Sequence, residues 1–168
     1  LATNVKREES YVLYVGGFDF RKNMYKAIEA FSIAKEKYKN TIMDNTKFQL
    51  VCKYSQESKR QIDSYINNLN ITDSVILTGY VSEEELIRLY KNCDLFFFPS
   101  LYEGYGLPVM EAMAVGSYVL CADNSSLPEV GKDFVEYCNA NDVIDMANKI
   151  YDSILKAKDD DVNNKKAR

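Results

Sequence analysis

The stretch "LFFFPSLYEGYGLPVMEA" (residues 95–112) decides the fold. It opens on an apolar run ending in Pro99, turns through a loop with one acid and two glycines, and leaves through Pro108 into an apolar segment carrying a second acid. A short continuous apolar run closed by a turn reads as a strand buried on both faces, which belongs in a parallel sheet covered by helices. Gly104 and Gly106 permit positive φ and close approach of backbone to a ligand. Pro108 suits the first turn of a helix, where its missing N–H costs nothing. The helix it opens, through Met110 towards Val115, starts with free amides and carries about half a positive charge at that end, a natural seat for phosphate.

Similar runs lie on either side. "YVLYV" (11–15), "FQLVC" (48–52), "VILTG" (75–79) and "YVLCA" (118–122) have the same form, and a weaker sixth lies at "FVEYC" (134–138). Between them the apolar residues follow helical spacing: Met24, Ala27, Ile28, Phe31 and Ala34, then Ile62, Tyr65, Ile66 and Leu69. Ser82 and Glu85 make a capping box ahead of Leu86, Leu89 and Tyr90, and Val143, Met146, Ala147 and Ile150 give a last helix. Strand and helix in alternation predict an α/β, doubly wound, Rossmann-like parallel sheet of about six strands with helices on both faces. The folded domain is expected over 11–155, after a linker-like segment at 1–10 and before a polar tail at 156–168 that frays or is disordered.

The commoner doubly wound order, 3-2-1-4-5-6, makes strands 1 and 4 neighbours and puts the ligand crevice at their carboxyl ends. The loop after strand 1 is "GGFDFRKN" (16–23) and the loop after strand 4 is "SLYEGYGLP" (100–108), so these two should face each other. Arg21 and Lys22 suit a diphosphate, and Asn23 suits the N-cap of the next helix. Glu111 is placed to accept hydrogen bonds from a diol such as a ribose, and Glu103 to reach sugar hydroxyls. Spacing alone leaves plainer readings open: Glu103 as a solvated loop acid, Glu111 as a complement to the helix dipole, Arg21 and Lys22 as surface cations. Neither G-x-G-x-x-G nor the Walker A pattern is present.

Composition narrows the chemistry. At 168 residues the chain is one domain, and its net charge of −4 argues against a general nucleic-acid binder. There is no histidine, which removes imidazole-based catalysis and His-held zinc. No apolar run approaches the roughly 18–20 residues of a membrane helix. Cys52, Cys93, Cys121 and Cys138 lack C-x-x-C spacing and read as buried reduced thiols of a cytoplasmic protein. The "DDD" at 159–161 reads as solvated, so no metal is expected and leaving-group charge would fall to Arg21, Lys22 and helix amides.

"PSLYEGYGLPVMEAMAVGSYVL" resembles the E-G-[FY]-G-[LI]-P-x-x-E-A-x-A-x-G motif of retaining glycosyltransferases of the group 1 (family 4) type, which have the GT-B fold. "YVGGFDFRKNMYKAIEAF" is similar to that family's first strand and phosphate loop, "LTGYVSEEELIRLYKNCDLFFFPS" to its third strand and following helix, and "SSLPEV" (125–130) to the turn after its fifth strand. The resemblance spans Tyr11 to Ile150. It implies a C-terminal domain that binds a nucleotide diphosphate sugar, UDP-, GDP- or dTDP-linked, for transfer with retention and without a metal or other cofactor. It further implies that Glu111 holds the ribose and Glu103 positions the donor sugar without acting as a nucleophile. Lys22 and Arg21 would complete the catalytic set at the diphosphate. Gly16, Gly17 and Gly104, with the backbone of Tyr105, Gly106 and Leu107, would line the sugar and phosphates, and Gly79, Tyr80 and Val81 the base.

Two positions depart from the family pattern. Gly17 stands where many members have arginine, and "VCKYSQ" (51–56) offers Cys52 and Lys53 where many have a glycine near the base. The R-K-N loop resembles members that use mannose or rhamnose donors. An N-terminal acceptor-binding domain or a separate subunit is expected as partner, with the full enzyme cytoplasmic and peripheral at the inner face of the membrane. The chain by itself is expected to bind donor weakly and transfer nothing. The alternatives are half of a GT-B nucleotide-sugar epimerase and a non-catalytic nucleotide-binding module of the same fold.

Overall fold

The computed structural model describes residues 10–166; the linker-like segment, apart from Ser10, lies outside the described residues, as do 167–168. Each apolar run forms a strand: β1 (Tyr11–Val15), β2 (Lys47–Val51), β3 (Val75–Thr78), β4 (Leu95–Phe98), β5 (Val119–Ala122) and β6 (Glu136–Cys138). They make one sheet in the order β3-β2-β1-β4-β5-β6, with every adjacent pair parallel. β1 pairs with β4 through Val12↔Leu95 and Leu13↔Phe96, so the strand order reverses between the two strands whose loops were expected to meet.

Six helices cover the sheet: α1 (Met24–Lys37), α2 (Gln56–Asn68), α3 (Glu83–Asn92), α4 (Leu107–Ala114), α5 (Leu127–Gly131) and α6 (Val143–Lys166). Side chains alternate along a strand, which divides the core into two layers. Val12, Tyr14, Leu95 and Phe97 pack on one face with Phe31 of α1, Ile62 of α2 and Ile150 of α6. Leu13, Phe96 and Phe98 pack on the other with Leu89 of α3, Val109 of α4 and Leu127 of α5. All residues of β4 and β5 are buried, which accounts for their unbroken apolar sequence. Each fully buried Phe of this kind contributes about 1.5–3 kcal/mol.

Local expectations are met with three differences. Ser82 Oγ accepts the Glu85 N–H at 3.2 Å, but the Glu85 carboxylate turns to Arg88 at 2.8 Å, so only half of the capping box forms. A guanidinium one turn along outcompetes a backbone amide for that carboxylate. Asn23 stands at the N-cap position of α1 in the left-handed region (φ 58°) and makes no side-chain cap. Its Nδ2 instead donates to the carbonyls of Pro99 at 3.0 Å and Ala140 at 2.8 Å. Where a polar tail was expected from 156, α6 continues to Lys166. Ile154 is buried, Lys156 pairs with Glu136 at 2.7 Å, and Lys158 pairs with Asp94 at 3.1 Å, so the sheet holds the helix past the last apolar residues. Among the described residues no helix is long and apolar enough to cross a membrane.

Candidate functional site

β1 delivers the first loop to the crevice and anchors it from below. A Cβ on Gly16 would lie 2.6 Å from the Tyr14 hydroxyl, so glycine is needed there to admit the ring. That hydroxyl donates to the Lys22 carbonyl at 3.0 Å. Gly17 has nothing within 4 Å of where a Cβ would stand and opens to the crevice. Asp19 accepts the Arg21 N–H at 2.9 Å and starts a short 3-10 turn, Phe20–Lys22.

Arg21 and Lys22 then part. The Arg21 guanidinium folds back on Asp19, with Nε 3.0 Å from both carboxylate oxygens and Nη2 in closer contact. Those hydrogen bonds hold the Asp19 carboxyl down at about 2. The Arg21 carbonyl meanwhile accepts from Leu101 N at 2.7 Å and faces Ser100 Oγ at 2.9 Å, which stitches the first loop to the fourth. Lys22 crosses the crevice. Its Nζ lies 2.5 Å from Glu103 Oε1 and 5.4 Å from the centre of the Phe98 ring.

Glu103 is fixed on every side. Ser100 Oγ lies 2.7 Å from Oε1 as a donor. Its backbone N–H donates to Ser125 Oγ at 2.9 Å, and its carbonyl accepts from Ser125 and Ser126 hydroxyls at 2.5 and 3.1 Å. The Glu103 side chain is 10% exposed and that of Lys22 27% exposed, so the pair is shielded yet open to the crevice.

The glycine turn divides its labour. Gly106 sits at φ +67° as the N-cap of α4, and a Cβ there would lie 2.8 Å from Leu127 Cδ2. Gly104 does not use positive φ; it leaves open space instead. Pro108 lacks an N–H, and the amides of Val109 and Met110 both turn back to the Gly106 carbonyl. The amides of Tyr105, Gly106 and Leu107, just before and at the start of α4, are therefore placed to meet an anion. Glu111 is exposed one turn into α4 and accepts from the Tyr90 hydroxyl at 3.2 Å. Burial, with the Glu111 charge second, pushes that hydroxyl well above the ordinary tyrosine range.

At the ends of β2 and β3, Tyr80 is 77% exposed, Val81 is half-buried, and Lys53 Nζ stands 5.0 Å from the centre of the Tyr80 ring. A hollow of about 660 Å³ opens between α4 and α5, lined by Gly104, Tyr105, Met110, Met113 and Val130; it flanks the Lys22–Glu103 pair and does not contain it. The cysteines are free, and burial pushes Cys52 up to about 11 and Cys93 and Cys121 up to about 12, which leaves no activated thiol among them.

The structure thus joins Lys22 to Glu103, turns Arg21 aside to Asp19, and gives Glu111 a partner on α3. Ser100 supports Glu103 from three residues before it, whereas Tyr14, Asn23, Ser125 and Tyr90 act over separations that no local spacing marks. Asn23, for example, bonds to positions 76 and 117 residues away.

The group 1 glycosyl transferase family matches residues 2–168. The chain belongs to that family. It is 33% identical over 123 residues to a serotype-specific mannosyltransferase of Escherichia coli, covering 73% of this chain and 15% of that protein. It is 32% identical over 145 residues to the O-antigen chain mannosyltransferase B of Escherichia coli, covering 80% and 34%. A sucrose-phosphate synthase from Thermosynechococcus elongatus superposes with a TM-score of 0.78 at 25% identity, covering 92% of this chain and 38% of that one. The chain therefore spans well under half the length of the relatives it matches, and the glycosyltransferase fold seen here is the part they share.

Proposed function

We propose that this chain is the C-terminal, donor-binding domain of a retaining glycosyltransferase that takes its sugar from a nucleotide diphosphate sugar. The observation that carries the reading is the Lys22–Glu103 pair, 2.5 Å apart at the one place in the sheet where strand order reverses. Family membership supports a glycosyl donor, and the two Escherichia coli mannosyltransferases favour a mannosyl donor.

In this reading the incoming diphosphate displaces Glu103 as the partner of Lys22. The freed carboxylate, on a backbone that Ser125 and Ser126 still clamp, then accepts hydrogen bonds from sugar hydroxyls and positions the anomeric carbon. Lys22 and the amides of Tyr105, Gly106 and Leu107 meet the charge that develops on the leaving diphosphate, an electrostatic role that needs no protein-held metal. Arg21 joins them by leaving Asp19, Gly16 and Gly17 admit the phosphates, and Glu111 binds the ribose. The acceptor is held by a further domain or subunit, and the enzyme works in the cytoplasm.

A thermal-shift panel of nucleotide sugars tests the proposal. A matching donor at 100 times its dissociation constant should stabilise the fold by about 2.7 kcal/mol. A flat response across UDP-, GDP-, ADP- and dTDP-sugars at millimolar concentration would count against it.

A further inference from the structure

Tyr90 lies on α3 with only 1% of its surface exposed, in the core layer that also holds Phe96 of β4 and Val109 and Ala112 of α4. Its ring meets Phe96 edge-on at 5.0 Å, and its carbonyl accepts from Ser117 Oγ at 2.7 Å and Cys93 Sγ at 3.2 Å. The ring is therefore held on several sides, and phenylalanine would pack in the same place. What tyrosine adds is a hydroxyl at the edge of the core, 3.2 Å from Glu111 Oε2. Burial keeps that hydroxyl protonated at neutral pH, so it serves the carboxylate as a donor. Glu111 itself is exposed in the first turns of α4, and among the described residues Tyr90 is its one side-chain partner.

We propose that Tyr90 is a positioning residue for nucleotide recognition: its hydroxyl anchors Oε2 of Glu111 and so presets the carboxylate for the hydroxyls of a ribose. The inference rests on the donor-site reading, in which Glu111 binds the ribose, and adds the residue that makes Glu111 ready to do so. An exposed glutamate on a helix turns among several rotamers, and a ligand that needs one of them must order the side chain as it binds. A hydrogen bond from a fixed, buried ring supplies that order beforehand. Oε2 is then the anchored oxygen, and Oε1, with two lone pairs and no partner among the described residues, is the one left for the ligand. Tyr90 never touches the nucleotide in this arrangement; it acts through Glu111.

Calorimetric titration with GDP, UDP and ADP, each beside its 2′,3′-dideoxy form, tests this on the parent, Tyr90→Phe, Glu111→Ala and the double variant. The dideoxy form offers Glu111 no hydroxyl, so it reports every contact except the one at issue. Tyr90→Phe should weaken the ribonucleotide that the parent binds most tightly by about fivefold, one hydrogen bond's worth, and leave its dideoxy form within about twofold. Once Glu111 is alanine, adding Tyr90→Phe should cost no further affinity. A loss shared by the ribonucleotide and its dideoxy form, or one that persists in the Glu111→Ala background, would make Tyr90 a packing residue and overturn the inference. Full affinity in Tyr90→Phe would overturn it too, and both results leave the donor site standing. Failure of the parent to bind any of the nucleotides, or indifference of binding to Glu111→Ala, removes the ribose reading and this inference with it.

Discussion

Lys22 Nζ and Glu103 Oε1 lie 2.5 Å apart across the crevice, with Ser100 Oγ 2.7 Å from the same carboxylate oxygen. Each charge is satisfied by the other until a ligand separates them. Glu103→Gln keeps the size of the side chain and an oxygen for Ser100, but weakens its hold on sugar hydroxyls. Its effect should fall on the nucleotide sugar, weakened about tenfold, with the bare nucleoside diphosphate changed by less than about threefold. Paired titrations of one nucleotide with and without its sugar measure the difference; equal losses for both would remove Glu103 from the sugar.

The two glycines of the turn are predicted to differ. Gly106→Ala forces an L side chain to φ +67° and drives its Cβ to 2.8 Å from Leu127 Cδ2, at a cost of about 1–3 kcal/mol. Gly104→Ala adds a methyl to open space at an ordinary backbone angle, with a stability change within about 0.5 kcal/mol. Urea unfolding of both variants gives the comparison.

Asn23 combines a left-handed backbone with two hydrogen bonds that tie the first loop to the ends of β4 and β6. Asn23→Gly removes only the bonds, and Asn23→Ala removes the bonds and strains the backbone. Alanine should therefore be worse than glycine by about 1 kcal/mol, the reverse of the order expected within a helix. The same unfolding measurements decide it.

The Asp19 carboxyl, held to about 2 by Arg21, sets a pH window. A depressed carboxylate favours the folded state above its unfolded value, ordinarily 3.8, and loses that contribution as pH falls towards 2. An NMR titration should place the Asp19 midpoint near 2 in the parent and return it close to 3.8 in Arg21→Ala. A midpoint near 3.8 in the parent would mean that Arg21 is not committed to Asp19 and is free to face the crevice without a ligand.

The sheet order and all six strands were legible because buried parallel strands leave unbroken apolar runs, and because one switch point follows from that order. That the loops carrying Lys22 and Glu103 face each other followed from the same topology, whereas the ion pair between the two side chains did not. The separation of Arg21 from Lys22 did not, because it depends on Asp19 only two residues earlier and on the direction a short 3-10 turn gives each side chain. Asn23 looked like a cap because its position is one; its partners lie in distant loops that no local pattern names. The extension of α6 was hidden by its polar sequence, since Lys156 and Lys158 are held by Glu136 and Asp94 across the fold.

Calorimetric titration of the chain with nucleoside diphosphates, repeated on Lys22→Ala and Glu111→Ala, tests the central claim most directly. Binding of at least one diphosphate, weakened about tenfold or more by each substitution, is the predicted result. Binding that ignores both substitutions would place the ligand elsewhere and contradict the account.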